Sequence, residues 1–171
     1  MPANSSTPSY SEADLVLERV VDVPCDKVWA AWTQPALLMP WFCPLPWKTV
    51  ECDIDLRPGG VFRTVMMGPQ GERFDNLGCY LEVLPQRRLV WTTALGPGFR
   101  PLPEPPAPPK FSCILSFEPA GPNGTHTRYT AAALHRDAAA ARAATPPRAG
   151  VSPWHIRRTV LTLPTIADRK S

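Results

Sequence analysis

Val50-Glu51-Cys52-Asp53-Ile54-Asp55-Leu56-Arg57-Pro58-Gly59-Gly60-Val61-Phe62 is the stretch whose reading decides the fold. Val50, Cys52, Ile54 and Leu56 share one strand parity, and Glu51, Asp53 and Asp55 take the other, as in a strand buried on a single face. The acids of that second parity are expected to be solvated. Arg57-Pro58-Gly59-Gly60 then reverses the chain, because proline presets one backbone angle and glycine accepts a positive φ. A partner strand follows over 61–67 and ends at a second turn, Gly68-Pro69-Gln70-Gly71. This is antiparallel hairpin chemistry.

The same reading extends both ways. Downstream, strands are predicted over about 73–84, 89–95, 111–118 and 126–134, with Gly121-Pro122-Asn123-Gly124 turning between the last two. Phe111, Cys113, Leu115 and Phe117 fall on one face and Ser112 and Ser116 on the other, so the apolar face needs a cover. Upstream, Leu15, Leu17, Arg19 and Val21 alternate with Val16, Glu18, Val20 and Asp22 in a short strand. The period then changes: Pro24 suits a helix start, Asp26 favours the positive end of the helix dipole, and Val28 and Trp32 share a face. Thr33-Gln34-Pro35 halts this helix, and Ala36, Leu37, Leu38 and Trp41 allow one more turn before Pro40, Pro44 and Pro46. One strand, a helical corner and a run of antiparallel strands make an α+β chain. Its exposed apolar face must be covered by a helix near the C-terminus, by a ligand or by another molecule.

Composition narrows the function. The chain has 171 residues, 44% hydrophobic and 19% charged, enough for one domain with a substantial core. A net charge of +3 is far from that of a dedicated nucleic-acid binder. The 23 prolines must crowd into termini and loops, above all residues 96–109, which hold seven of them and are expected to form an exposed loop that cannot pair with a sheet. Cys25, Cys43, Cys52, Cys79 and Cys113 contain no C-x-x-C pair, which argues for buried thiols in a reducing compartment and against a zinc site. With no signal-like start and no stretch long enough to span a bilayer, the expected localisation is cytoplasmic, with no membrane partner.

Catalytic motifs are thin. There is no G-x-S-x-G, no phosphate loop and no metal-ligand spacing, so no catalytic residue, metal or cofactor is expected. His126 in a turn, His135 at the end of the last strand and His155 in the tail are each expected to be solvated. The large side chains at the corner or on one strand parity, Trp32, Trp41, Phe62, Met66, Tyr80, Trp91 and Phe117, are the candidates for lining an internal cavity.

Several segments taken in order carry a family resemblance. They are Leu15-Val16-Leu17-Glu18-Arg19, Val23-Pro24-x-x-x-Val28-Trp29-x-Ala31-Trp32-Thr33, Leu38-x-x-Trp41, Asp55-Leu56-Arg57-Pro58-Gly59-Gly60-x-Phe62, Gly78-x-Tyr80-Leu81-Glu82-Val83 and Arg88-Leu89-Val90-Trp91. Together they resemble the bacterial branch of the activator of heat-shock-protein ATPase homologue family, within the START-related, polyketide-cyclase-like superfamily often called SRPBCC. The resemblance implies a helix-grip fold, in which a bent antiparallel sheet grips a C-terminal helix and encloses a pocket for an apolar or amphipathic small molecule. That fold also serves cyclases and chaperone cofactors. The leading expectation is a domain that binds a small hydrophobic molecule without covalent chemistry. The alternatives are a co-chaperone-like activator of a heat-shock ATPase and a polyketide-cyclase-like enzyme using a buried acid.

The resemblance divides the chain into an N-terminal arm at 1–13, the domain at 14–135 and a tail at 136–171. From Arg136 onward the local charge is +5, and Pro146-Pro147, Pro153 and Pro164 interrupt any long helix, so the closing helix of the family finds no match. A shifted reading frame, a divergent folded tail and a basic arm are the three accounts. The first is preferred for the abrupt Ala/Arg/Pro/Thr bias, although Ile156, Val160 and Leu163 keep helical spacing.

Overall fold

A computed structural model describes residues 9–43, 45–104, 110–137 and 139. Seven strands form one antiparallel sheet: β1 (Leu15–Val21), β2 (Lys48–Ile54), β3 (Val61–Met67), β4 (Arg73–Leu84), β5 (Arg88–Thr92), β8 (Phe111–Ala120) and β9 (His126–His135). Their spatial order is β1-β9-β8-β5-β4-β3-β2. Strands β1 and β2 follow one another in sequence yet occupy opposite edges. The chain between them, α1 (Cys25–Thr33) and α2 (Pro35–Leu38), therefore crosses one face of the sheet. The result is a curled half-barrel of the α+β helix-grip type. The expected closing helix at 136–171 falls almost wholly outside the described residues.

Local chemistry explains the crossing. Pro24, extended at φ −69° and ψ 157°, caps α1, and its carbonyl accepts from the Lys27 and Val28 N–H groups. Cys25, Val28, Ala31 and Trp32 form the buried stripe of α1, spaced for one helix face. Pro35 opens α2, where a missing N–H costs nothing. The entry to α1 is fixed to the sheet by Thr127 of β9, fully buried, whose hydroxyl donates to the Val23 carbonyl at 2.6 Å. Thr127→Val is expected to cost about 1–2 kcal/mol, since the shape is kept while a buried carbonyl loses its donor. Urea denaturation checks this as a lower midpoint with an unchanged slope.

Register assigns the faces. Tyr80 pairs with Trp91, Trp91 with Cys113, Cys113 with Ala133 and Ala133 with Leu15. One step along, Leu89, Leu115, Ala131 and Leu17 pair in the same way. These residues share the inner face, and all but Leu15 and Ala133 belong to, or pack against, one continuous core with α1 and α2. The outer face carries a smaller cluster, Val90, Ile114 and Ala132, against which Tyr10, Leu81 and Leu134 pack. The described end of the expected loose arm thus lies on the sheet.

The proline-rich loop needs correction at its start. Leu95–Gly96 (β6) pairs with Arg100–Pro101 (β7) in a separate two-stranded sheet. The Gly98 N–H donates to the Gly59 carbonyl at 2.8 Å and the Leu102 N–H to the Ala94 carbonyl at 2.9 Å. Proline at a strand edge lacks a donor that this pairing does not use, so the segment folds back despite its composition. Residues 105–109 lie outside the described set.

Candidate functional site

The inner face is aromatic where α1, α2 and the sheet meet. Trp32 on α1 stands edge-on to Trp41, ring centroids 4.8 Å apart, and lies 5.8 Å from Trp91 of β5. Trp91 meets Phe62 of β3 at 5.1 Å, and Phe62 meets Tyr80 of β4 at 5.3 Å. Five of the seven expected lining residues are thereby joined through direct ring contacts. Phe117 belongs to the same core but its ring partner is Trp29, at 5.8 Å. Met66 is buried on the inner parity of β3, opposite Phe74 and Thr49, and is not part of that core cluster. Phe42, absent from the expected set, bridges Trp32 at 6.3 Å and Phe62 at 6.0 Å. It follows Trp41 in a segment without periodicity, which left no signal for its role.

Polar atoms are set into this apolar surface. The Trp32 and Trp41 Nε1 atoms and the Tyr80 and Tyr129 hydroxyls are buried with no hydrogen-bond partner. Burial raises the ionisation of Tyr80 well above the usual phenol range, with the neighbouring Cys52 adding to the rise. The phenol therefore stays neutral and able to donate. His135 corrects the expectation of a solvated ring: it is buried, stacks on Phe111 at 5.9 Å, and has both ring nitrogens unpartnered. Its inner-face register opposite Phe111 carries it under the core. His126 is half-buried beside Asp22 at 3.2 Å, and His155 lies outside the described residues.

The carboxylates stay outside. Asp53, Asp75 and Glu51 surround Arg63 at 3.0, 2.6 and 3.0 Å on the outer parity, with Arg73 also on Glu51, while Asp55 pairs with Arg57 at 2.8 Å. Among the described residues the buried polar side chains are four threonines and His135. No group of three or more potential metal ligands occurs among them, and no helix there is long and apolar enough to cross a membrane.

All five thiols are free, and four are buried. Burial pushes the Cys43 and Cys52 thiols up to about 11, with Asp53 adding to the rise at Cys52. Burial raises Cys113, Tyr80 and Tyr129 as well. A thiol that titrates higher in the folded than in the unfolded chain favours folding while it is protonated. That contribution is complete below the unfolded value of about 8.5 and is lost as pH rises through the folded value of about 11. The urea midpoint is thus expected to hold between about pH 7 and 8 and to fall steadily from about pH 9 upward.

Fold and inner face together define a START-related helix-grip domain. A model of the activator of Hsp90 ATPase homolog 1-like protein family matches residues 22–149. A solved protein from Nitrosomonas europaea shares 41% identity, covering 78% of this chain and 82% of its own, with a TM-score of 0.71. One from Rhodobacter sphaeroides, 22% identical, covers 96% and 98% with a TM-score of 0.74. The AHSA1-like protein from Aeromonas hydrophila, 22% identical, covers 69% and 73% with a TM-score of 0.52. No curated protein matches. The chain belongs to the activator of Hsp90 ATPase homolog 1-like family.

Proposed function

We propose that the domain binds a small hydrophobic or amphipathic molecule against its inner face, holding it without covalent chemistry. The observation that carries this reading is the set of unpartnered donors, Trp32 Nε1, Trp41 Nε1 and Tyr80 hydroxyl, among rings in mutual contact. A buried donor left unmade costs about 1–3 kcal/mol, and a ligand with oxygen acceptors recovers it. An indole N–H only donates, so the ligand is expected to present carbonyl, ether or hydroxyl oxygen along an apolar body. Five free thiols suit a cytoplasmic setting.

Native mass spectrometry after gentle purification tests this reading. A retained small molecule that solvent extraction removes is the expected result. A chain that emerges empty and leaves its tryptophan emission unchanged on titration with apolar compounds would sink it. Tyr80→Phe is expected to weaken retention while stabilising the empty chain by about 1 kcal/mol, because a hydroxyl without a partner is removed.

The family match favours a second reading, a domain that stimulates a heat-shock ATPase by surface contact. Stimulation by the ligand-free chain, undiminished by Tyr80→Phe, would select it. A cyclase-like enzyme needs a buried acid, and the described core offers no carboxylate.

A further inference from the structure

The inner face carries one feature that an apolar site does not require. Arg19 of β1 and Tyr129 of β9 are register partners, and both share the inward parity of Leu17, Val21 and Ala131. Arg19 is half-buried and Tyr129 fully buried. Arg19 Nε and the Tyr129 hydroxyl are both shut off from solvent, and neither has a hydrogen-bond partner. The acids nearest in sequence are engaged elsewhere: Glu18, on the outward parity, faces Arg128 at 3.9 Å, and Asp22 sits beside His126 at 3.2 Å. Among the described residues no carboxylate pairs with Arg19. Arg19 Nε and the Tyr129 hydroxyl, on register partners of one face, are thus two unmade donors beside a positive charge. Burial raises Tyr129, and Arg19 pulls it the other way as a lesser influence, consistent with their proximity.

What lies beyond the pair suits an elongated ligand. Two register steps along the strands, over the small side chains Ala131 and Ala133 and past Cys113, lead to Trp91 and Tyr80. The path is about 13 Å along the strands and two to three strands across, roughly 17 Å to Trp91 and roughly 20 Å to Tyr80 at the rise and spacing of an antiparallel sheet, the reach of a long acyl chain.

We propose that Arg19 and Tyr129 form the anion-recognising end of the ligand site, receiving the carboxylate of an amphipathic organic acid whose apolar body runs toward Trp91 and Tyr80. The inference rests on the ligand-binding reading above and adds a charge to it. Arg19 Nε and the phenol donate to the two carboxylate oxygens, a charge-assisted arrangement that a neutral ligand of the same length cannot reproduce.

The full chain, stripped of any retained ligand, is titrated with sodium decanoate and with 1-decanol, following tryptophan emission and calorimetric heat. Decanoate is expected to bind at least about tenfold more tightly than decanol, the factor expected of a charge-assisted hydrogen bond. Arg19→Gln and Tyr129→Phe should each bring the acid down toward the alcohol's level and lower the alcohol's affinity far less than the acid's. Tyr129→Phe, which removes one oxygen and no ring, carries the test alone if Arg19→Gln does not fold. Equal binding of acid and alcohol by the unaltered chain overturns the anion pair and leaves the apolar site standing. A preference for the acid that survives both substitutions also overturns the pair, because the charge is then read elsewhere. Binding of neither compound overturns both readings.

Discussion

Trp32→Ala is expected to lower the midpoint of thermal unfolding by about 10 °C and to remove most of the near-ultraviolet circular dichroism. The side chain is 1% exposed and its indole touches Trp41, Phe42 and Trp91, the three rings that connect α1 to the corner and to the sheet. Truncating a buried aromatic costs about 3–5 kcal/mol, and each kcal/mol moves the midpoint of a chain this size by about 2–4 °C. Against that loss stands a small gain, because the unpartnered Nε1 disappears with the ring. Trp32→Phe separates the two effects. It keeps a ring against Trp41 and deletes the N–H, so its cost should be less than half that of the alanine variant. An equal loss in both variants would mean that the indole N–H is held by a partner and is not waiting for one. Calorimetry on both variants, without ligand and with whatever compound the native chain retains, reads the comparison directly.

The faces of the sheet were legible because alternation states them. Cys113, Leu115 and Phe117 enter the core and Ser112 turns away, where its hydroxyl meets that of Thr92 at 3.0 Å. Parity does not give position along a strand. Met66 shares its face with Phe62 but pairs with Thr49 and Phe74, two register steps from the aromatic cluster. The corner was legible as an interruption and not as a site, since its prolines erase periodicity just where Phe42 is delivered between Trp32 and Phe62. His135 looked solvated because it ends a strand. Its burial depends on pairing with Phe111, a contact between residues 24 apart in sequence that no local pattern encodes. Arg19 stood out in no local pattern, falling on the parity of Leu15, Leu17 and Val21; only register sets it beside Tyr129. The β6–β7 pairing escaped because two-residue strands have no period to read.

Gly60→Ala is the second large effect expected, about 3 kcal/mol or more, and it arises from backbone approach and not from a special dihedral. A Cβ at position 60 would collide with the Asp55 carbonyl and lie 2.9 Å from that of Arg57, both of them backbone atoms held by hydrogen bonds. The Gly60 N–H donates to Arg57 and its carbonyl accepts from Tyr80, each at 2.8 to 3.0 Å. No side chain can swing aside to relieve the clash, so the turn must open. Gly59 differs: at φ +80° its strain is conformational, and an added Cβ meets only the edge of the Phe99 ring at 2.9 Å. Gly59→Asn, a residue that tolerates left-handed geometry, should therefore cost less than Gly60→Ala. Because the Gly59 N–H donates to the Tyr80 carbonyl and Gly60 accepts from the Tyr80 N–H, opening this turn also releases the backbone that holds the Tyr80 phenol among the rings. Gly60→Ala should consequently weaken ligand retention beyond what its stability loss explains. Amide hydrogen exchange gives the decisive reading: protection should fall first at Tyr80 and Gly60, while the β8–β9 pairing on the far side of the sheet keeps its own.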